Sequence, residues 1–151
     1  MKRVLILLML VFCVLQESHG DESATANPDL WVYTETSANG QPVQLWRGEK
    51  WQLDVVNWWR ASAGLPPVKI DPALQDRVRA HCLRMAKARG MFHSGRGGEN
   101  VAVGQANNAE AVQVWVNSPP HAVQIFNPRH TVVGVACYQF GGRKFYVQEF
   151  H

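Results

Sequence analysis

Beyond residue 20 the sequence lacks any apolar stretch that could cross a bilayer, which requires about 20 residues in a helix. It also lacks a cluster of Lys and Arg interleaved with aromatic residues, and its formal net charge is only +3 at pH 7, so we expect no nucleic-acid partner. No Gly-Lys-Ser/Thr sequence follows the glycines at 95–98, which excludes a P-loop. What remains is a single small globular domain, which we expect to be a monomer.

Cysteine is scarce as well. The chain has three cysteines, and only Cys82 and Cys137 lie beyond residue 20. In an exported protein two cysteines commonly pair, so we predict a Cys82–Cys137 disulfide. The alternative is a pair of buried free thiols.

The N-terminus has the layout of a secretory signal peptide. Lys2 and Arg3 are basic, residues 4–15 are apolar, and the chain then becomes polar up to residue 20. Ser18 and Gly20 place small residues at positions −3 and −1 of a cleavage site. We therefore predict cleavage after Gly20 and export to an extracellular or periplasmic location.

Two other interpretations of the N-terminus fit less well. A membrane anchor would need a longer apolar run. A lipoprotein signal would use Cys13, but bulky Phe12 precedes it, and Cys13 lies inside the apolar run instead of at its end. The predicted organisation is a signal peptide at 1–20, an N-terminal extension at 21–50 and a folded domain at 51–151.

Periodicity and turn residues predict helices first and an antiparallel strand pair last, which favours an α+β fold. The second helix has the clearest boundaries, because Asp71 is a good N-cap, Pro72 suits the first helical position and Gly90 follows the end. Residues 21–28 are predicted to be disordered and 91–104 to be a loop. The other predicted elements are a hairpin of 30–34 and 43–46 around Asn39-Gly40, helices at 51–63, 109–118 and 121–126, and strands at 131–140 and 144–150.

Four residues are candidates for a functional site: His93, Glu99, Glu110 and His121. Both histidines lie in loop or helix-start positions, where functional side chains are often presented. Their spacing matches no contiguous metal motif such as H-E-x-x-H, and Glu110 lies on the rim of its helix. From the residues alone, a shared site is one possibility and four unrelated surface groups is the other. His81, at the edge of an apolar helix stripe, is interpreted as a packed histidine.

A series of short motifs resembles the CAP superfamily, which comprises cysteine-rich secretory proteins, antigen 5 and plant pathogenesis-related proteins. The motifs occur in the family's order from residue 51 to residue 150, and the ordered set is more specific than any one member. They are Val56-Asn57-x-x-Arg60-Ala61-x-x-Gly64-Leu65-Pro66-Pro67, Phe92-His93-Ser94-Gly95, Gly98-Glu99-Asn100-Val101-Ala102, Trp115-x-Asn117-Ser118-Pro119-x-His121, Ile125-x-Asn127-Pro128, Val133-Gly134-Val135-Ala136 and Tyr146-Val147-Gln148-x-Phe150.

The resemblance implies a three-layer α-β-α sandwich with a small antiparallel sheet and a cleft lined by two histidines and two glutamates. Matched motif by motif, these are His93, Glu99, Glu110 and His121. The sequence departs from the family where Pro120 replaces a glycine, which stiffens the approach to His121. Ala122 replaces a basic residue that commonly follows that histidine.

The resemblance also suggests a metal, since histidines bind zinc or another divalent ion in some relatives. Here His93 and His121 would be the ligands, with the glutamates orienting the imidazoles or holding a water. The alternative is a hydrogen-bonded His/Glu network without metal.

For function, the leading hypothesis is a non-enzymatic module that binds a small molecule, lipid or cell-wall fragment in this cleft. The alternative is a metal-assisted hydrolase with Glu99 or Glu110 as general base. An interaction or inhibitor domain is a third possibility.

Overall fold

The computed structural model describes residues 25–26 and 32–151. The predicted signal peptide at 1–20 and its cleavage site lie outside the described residues and stay predictions. No helix in the described ranges is long and apolar enough to span a bilayer.

Four helices and seven strands make up the described part of the chain. The helices are α1 (Arg47–Ser62), α2 (Pro72–Lys87), α3 (Asn108–Val116) and α4 (Pro119–Phe126). The strands are β1 (Thr25–Ala26), β2 (Val32–Thr36), β3 (Pro42–Trp46), β4 (Lys69–Ile70), β5 (Glu99–Val103), β6 (Val132–Phe140) and β7 (Arg143–Phe150).

Five of the seven described strands form one sheet. In it β1, β6, β7 and β5 are neighbours in that order, and β4 pairs with β6 in parallel. The centre of the sheet is the β6–β7 hairpin, with Val133 opposite Phe150 and Phe140 opposite Arg143. Its two-residue turn is Gly141-Gly142, and both glycines have positive φ (53° and 73°), as the preferred hairpin turns require.

Side chains alternate between the two faces of β6, so the sheet has an apolar core on each side. On one face Ala136 and Tyr138 pack with Val78 and Met85 of α2. On the other face the core includes Val133 and Val135 of β6, together with residues of α1, α3 and α4 such as Val56, Trp115 and Ile125. The predicted three-layer α-β-α arrangement is therefore confirmed.

The remaining short strands β2 and β3 pair as the hairpin predicted around Asn39-Gly40. The chain passes from β3 directly into α1, which begins four residues earlier than predicted and crosses the predicted domain boundary between residues 50 and 51. The first turn of α1 is fixed by Glu49, whose fully buried carboxylate accepts two bonds from Arg79 of α2, at 2.6 and 2.8 Å.

Three local predictions were wrong. Residues 25–26, predicted to be disordered, pair with Tyr138 and Gln139 of β6 as β1. The predicted loop at 91–104 contains strand β5, which pairs with β7. Pro119 and Pro120 were predicted only to stop a helix, but they begin α4, because the first helical positions need no backbone N–H donor.

The predicted Cys82–Cys137 disulfide was also wrong, since both cysteines are buried free thiols in the structure. Cys82 belongs to the core between α2 and the sheet, where its Sγ–H donates to the carbonyl of Phe145 at 3.2 Å. Cys137 belongs to the core on the opposite face. The sheet itself lies between the two sulfur atoms.

Helix α4 is held against α1 by Arg60, which is fully buried. Its guanidinium donates to the carbonyls of Pro66 (2.8 Å), Ile125 (2.7 Å), Asn127 (3.1 Å) and His130 (3.0 Å). One side chain thus satisfies carbonyls at the end of α4 and in the loops beside it.

Candidate functional site

His93 is oriented by Glu99, the first residue of β5. The Nδ1 atom of His93 lies 2.8 Å from Oε1 of Glu99, and the same oxygen accepts the backbone N–H of Ser94 at 2.9 Å. A neutral imidazole that donates from Nδ1 keeps Nε2 as an acceptor. The Glu99 side chain is 1% exposed and that of His93 is 55% exposed, so a buried carboxylate supports a ring that reaches solvent.

The position of Glu99 depends on a close backbone approach at Gly98. This glycine has φ +75°, and a Cβ atom there would lie 2.3 Å from the carbonyl oxygen of Phe150. The Gly98 carbonyl accepts the N–H of Phe150 at 2.9 Å, which aligns the start of β5 with the end of β7. Only glycine combines this φ with this contact.

A third histidine contacts the same carboxylate. His81 of α2 is 2% exposed, and its Nε2 atom lies 3.0 Å from the carbonyl of Phe92 and 3.6 Å from Oε2 of Glu99. Burial lowers the pKa of His81, although Glu99 opposes this effect. The interpretation as a packed histidine holds. Its contact with Glu99 could not be found from the sequence, because residues 91–104 gave no sign of a strand opposite α2.

His121 lies in the first turn of α4. Its Nδ1 atom is 2.8 Å from the hydroxyl of Ser118, and its backbone carbonyl accepts from Asn100 of β5 at 3.2 Å. Burial lowers the pKa of His121, and the neighbouring His93 lowers it further. The two histidines are therefore near enough to interact electrostatically.

Both histidines line one open cleft of about 260 Å³ beside β5. The rest of its wall is largely apolar and includes Met91, Val114 and Trp115, with Gln105 as a further polar residue. The cleft thus combines imidazoles, which bind polar groups, with a surface suited to hydrocarbon.

Glu110 has a different position. Its carboxylate accepts the backbone N–H of Ala106 at 2.7 Å, and its own N–H donates to Asn107 at 2.9 Å. These bonds cap the start of α3. Glu110 does not line the cleft, and within the described residues no hydrogen bond joins it to either histidine. The structure brings together three of the four candidate residues, His93, Glu99 and His121.

Comparison with known proteins identifies the family. The CAP model, the cysteine-rich secretory protein family, matches residues 53–150. The chain belongs to the CAP family.

One curated relative is similar over most of the chain. The uncharacterized protein YkwD of Bacillus subtilis (strain 168) is 30% identical over 145 residues, which cover 83% of this chain and 56% of YkwD. The chain thus spans a little over half the length of this relative.

Two solved structures have a similar fold. An extracellular protein containing an SCP domain from Bacillus anthracis str. Ames matches with a TM-score of 0.61 at 23% identity, covering 74% of this chain and 46% of that one. An outer surface protein of Borrelia burgdorferi matches with a TM-score of 0.62 at 16% identity, covering 80% of this chain and 97% of that one.

The side chains of this CAP domain offer few ligands for a metal. The Nδ1 atoms of His93 and His121 are bonded to Glu99 and Ser118, which leaves one ring nitrogen on each histidine. The described residues contain no group of three or more His, Cys, Asp or Glu side chains that could hold a metal ion. Catalytic zinc sites commonly have three protein ligands, so this donor set does not fit one. The two-histidine metal site stays a prediction.

Proposed function

We propose that this CAP domain is a secreted, non-enzymatic binding module whose cleft takes a small molecule, a lipid or a cell-wall fragment. The observation that carries the proposal is the convergence of His93 and His121 on one cleft with an apolar wall. Pockets that bind small ligands combine mostly apolar lining with a few placed polar groups. An amphipathic ligand would place its polar group against the imidazoles and its hydrocarbon against Met91 and Val114, which are both exposed.

Binding is favoured over hydrolysis by the state of the two carboxylates. A general base must reach the proton that it removes, directly or through one water. Glu99 is buried and already accepts bonds from His93 and Ser94, while Glu110 caps α3 outside the cleft. The other oxygen of Glu99, Oε2, has no hydrogen-bond partner among the described residues, but it is buried 3.6 Å from Nε2 of His81 and is not exposed in the cleft.

The test of the cleft is a binding screen against single-chain lipids and soluble cell-wall fragments, with Zn²⁺ titrated separately. We expect His93→Ala and His121→Ala each to weaken binding of a cleft ligand at least about tenfold, which corresponds to about 1.4 kcal/mol. His151→Ala is the matched control, because this histidine is also exposed but bonds to Glu149 outside the cleft. Equal binding by all four proteins would overturn the proposal.

The same screen separates the alternatives. If the wild type converts any ligand to a product and Glu99→Gln does not, the protein is the hydrolase and not a non-enzymatic binding module. Zinc binding that is lost in both cleft variants and kept in His151→Ala would establish the two-histidine metal site.

The proposal of secretion rests on the N-terminal 20 residues. Intact-mass measurement of exported protein should give a chain that begins at Asp21. A lipid attached to Cys13, absent from Cys13→Ser, would instead establish a lipoprotein.

A further inference from the structure

Helix α1 carries two exposed tryptophans on one face. Trp51 is 43% exposed and Trp58 is 63% exposed, although large aromatic side chains are usually mostly buried. Residues seven apart on a helix differ by only about 20° around the axis and are separated by about 10.5 Å along it. The two indoles therefore lie in line, with Asp54 and Val55 between them.

Each tryptophan forms part of a shallow hollow that also has polar residues. A hollow of about 330 Å³ beside Trp51 includes Tyr33, Lys50 and Asp54. A second hollow, of about 370 Å³ beside Trp58, includes Val55, Trp59 and Gln113. Aromatic surfaces with hydrogen-bonding groups at their edges are suited to ligands that have an apolar face and a polar rim.

The two indoles are presented on a fixed support. Trp58 contacts Trp59 edge to face, with ring centroids 4.9 Å apart and planes at 82°. Arg60 and Glu49 fasten α1 to α4 and to α2. A pair of platforms with constant spacing is suited to a ligand that repeats along its length.

The charges beside Trp51 compensate each other. Lys50 pairs with Glu35 at 3.2 Å and also with Asp54, and Arg47 lines the same hollow, so these two cations and two carboxylates sum to no net charge. A polyanion such as nucleic acid would require an excess of cations here. Lys50 and Asp54 also interrupt the apolar surface around the two tryptophans, which disfavours an apolar partner surface. The surface complements a neutral, hydroxyl-rich ligand.

We propose that the Trp51–Trp58 face of α1 binds a neutral β-1,4-linked glycan chain. The apolar C–H faces of pyranose rings would stack on the two indoles. Their helix positions are about 10.5 Å apart along the axis, which is close to the length of one disaccharide unit in an extended chain of this kind. Asp54, Lys50 and Gln113 would bond to ring hydroxyls. This site is separate from the proposed cleft, since neither hollow shares a lining residue with it.

The experiment is calorimetric titration of the full chain with N-acetylglucosamine oligomers of two, four and six units, together with sedimentation with insoluble chitin. We expect affinity to rise with oligomer length, because only the longer chains reach both indoles. Trp51→Ala and Trp58→Ala should each weaken binding of the hexamer at least about fivefold. Trp58→Tyr should retain most of the affinity, since it keeps an aromatic platform.

Val123→Ala is the control for loss of an exposed apolar side chain, because Val123 is 58% exposed on α4. It should bind as the wild type does, and so should His121→Ala, which separates failure of this site from failure of the cleft. Absence of binding to every oligomer and to chitin would overturn the proposal, and so would binding by both tryptophan variants that equals binding by the wild type. Self-association that is abolished by Trp58→Ala would overturn it in favour of a second copy of the chain.

Discussion

The Nδ1 atom of His93 and the Oε1 atom of Glu99 are 2.8 Å apart, and the carboxylate is almost completely buried while the imidazole reaches solvent. An ionised carboxylate in such a position depends on its hydrogen-bond donors. The backbone N–H of Ser94 and the ring of His93 provide two of them on one oxygen. Glu99 therefore both stabilises the start of β5 and orients His93 in the cleft.

Replacement of Glu99 by alanine should destabilise the protein by about 2–3 kcal/mol, because bonds to a charged buried group are lost and Ser94 N–H loses its acceptor. Glu99→Gln keeps one acceptor oxygen and should cost less. Urea unfolding measures both changes. Asp76→Asn, an exposed acidic position on α2, is the control and should change the free energy of unfolding by less than about 0.5 kcal/mol. Equal midpoints for Glu99→Ala and wild type would contradict the role of the carboxylate.

Two neighbouring glycines should respond very differently to alanine. At Gly98 a Cβ atom would lie 2.3 Å from the Phe150 carbonyl oxygen, and φ is +75°. At Gly97 nothing lies within 4 Å of an added Cβ, and φ is outside the left-handed region. Gly98→Ala should therefore lower the free energy of unfolding by roughly 3 kcal/mol or prevent folding, whereas Gly97→Ala should be near neutral. Comparable losses in both variants would show that the close approach to Phe150 is not the cause.

The sequence predicted the helices and the β6–β7 hairpin well because their signals are local. Asp71 and Pro72 begin α2 as expected, with the Asp71 carboxylate accepting the N–H of Leu74 at 2.8 Å. The two adjacent glycines of the final turn were equally informative. Strand β5 was missed because its glycine-rich approach is typical of a loop, and its pairing partner β7 is more than 40 residues away.

The candidate site was predictable only through the family resemblance. No spacing rule brings His93 and His121 together, since β5 and α4 meet only in the folded protein. The exclusion of Glu110 from the cleft and the inclusion of His81 beside Glu99 depend on tertiary packing. The disulfide error has the same origin. A cysteine count does not specify which face of a strand a cysteine occupies, and Cys137 is on the face away from α2.

Both cysteines beyond residue 20 should be chemically free and slow to react in the native state. Burial raises the pKa of Cys82 well above its ordinary value and that of Cys137 to about 12, so little thiolate is present at neutral pH. Labelling with iodoacetamide at pH 7.5 should be slow in the folded mature chain. In denaturant without reductant it should modify two thiols per chain. Absence of labelling in denaturant would reinstate the disulfide.

The same shifts predict a loss of stability in alkali. A thiol or phenol that ionises at higher pH when folded binds more protons in the native state, so stability is complete below the ordinary pKa and falls as the pH rises. For Cys137 this window runs from about pH 9 to about pH 12. Tyr138, whose pKa is raised to about 12 by burial, acts in the same direction.

At pH 11 the Cys137 contribution should reach about 3 kcal/mol. Urea unfolding from pH 8 to pH 11 measures the slope, and Cys137→Ala should have a shallower slope than the wild type. If the variant and the wild type lose stability in parallel, the buried thiol is not responsible.

Arg60 should be the most sensitive position on α1. Its guanidinium is fully buried and donates to four carbonyls from three segments of chain. Burial lowers the pKa of this guanidinium. Arg60→Met should destabilise the protein by roughly 3–5 kcal/mol, since several buried carbonyls lose their donor together.

Arg60→Lys should recover only part of that loss, because an ammonium has three donors and lacks the planar fork. Arg129→Lys, at an exposed position in the loop after α4, is the matched control and should be near neutral.

Hydrogen exchange should show which helix is destabilised. In Arg60→Lys the amides of α4 should exchange faster than those of α2, because the lost bonds end on Ile125 and Asn127. Since α4 also positions His121, the same variant should weaken any cleft ligand while leaving binding at the Trp51–Trp58 face less affected. Uniform acceleration of exchange across both helices would mean that Arg60 supports global stability only and does not position the cleft.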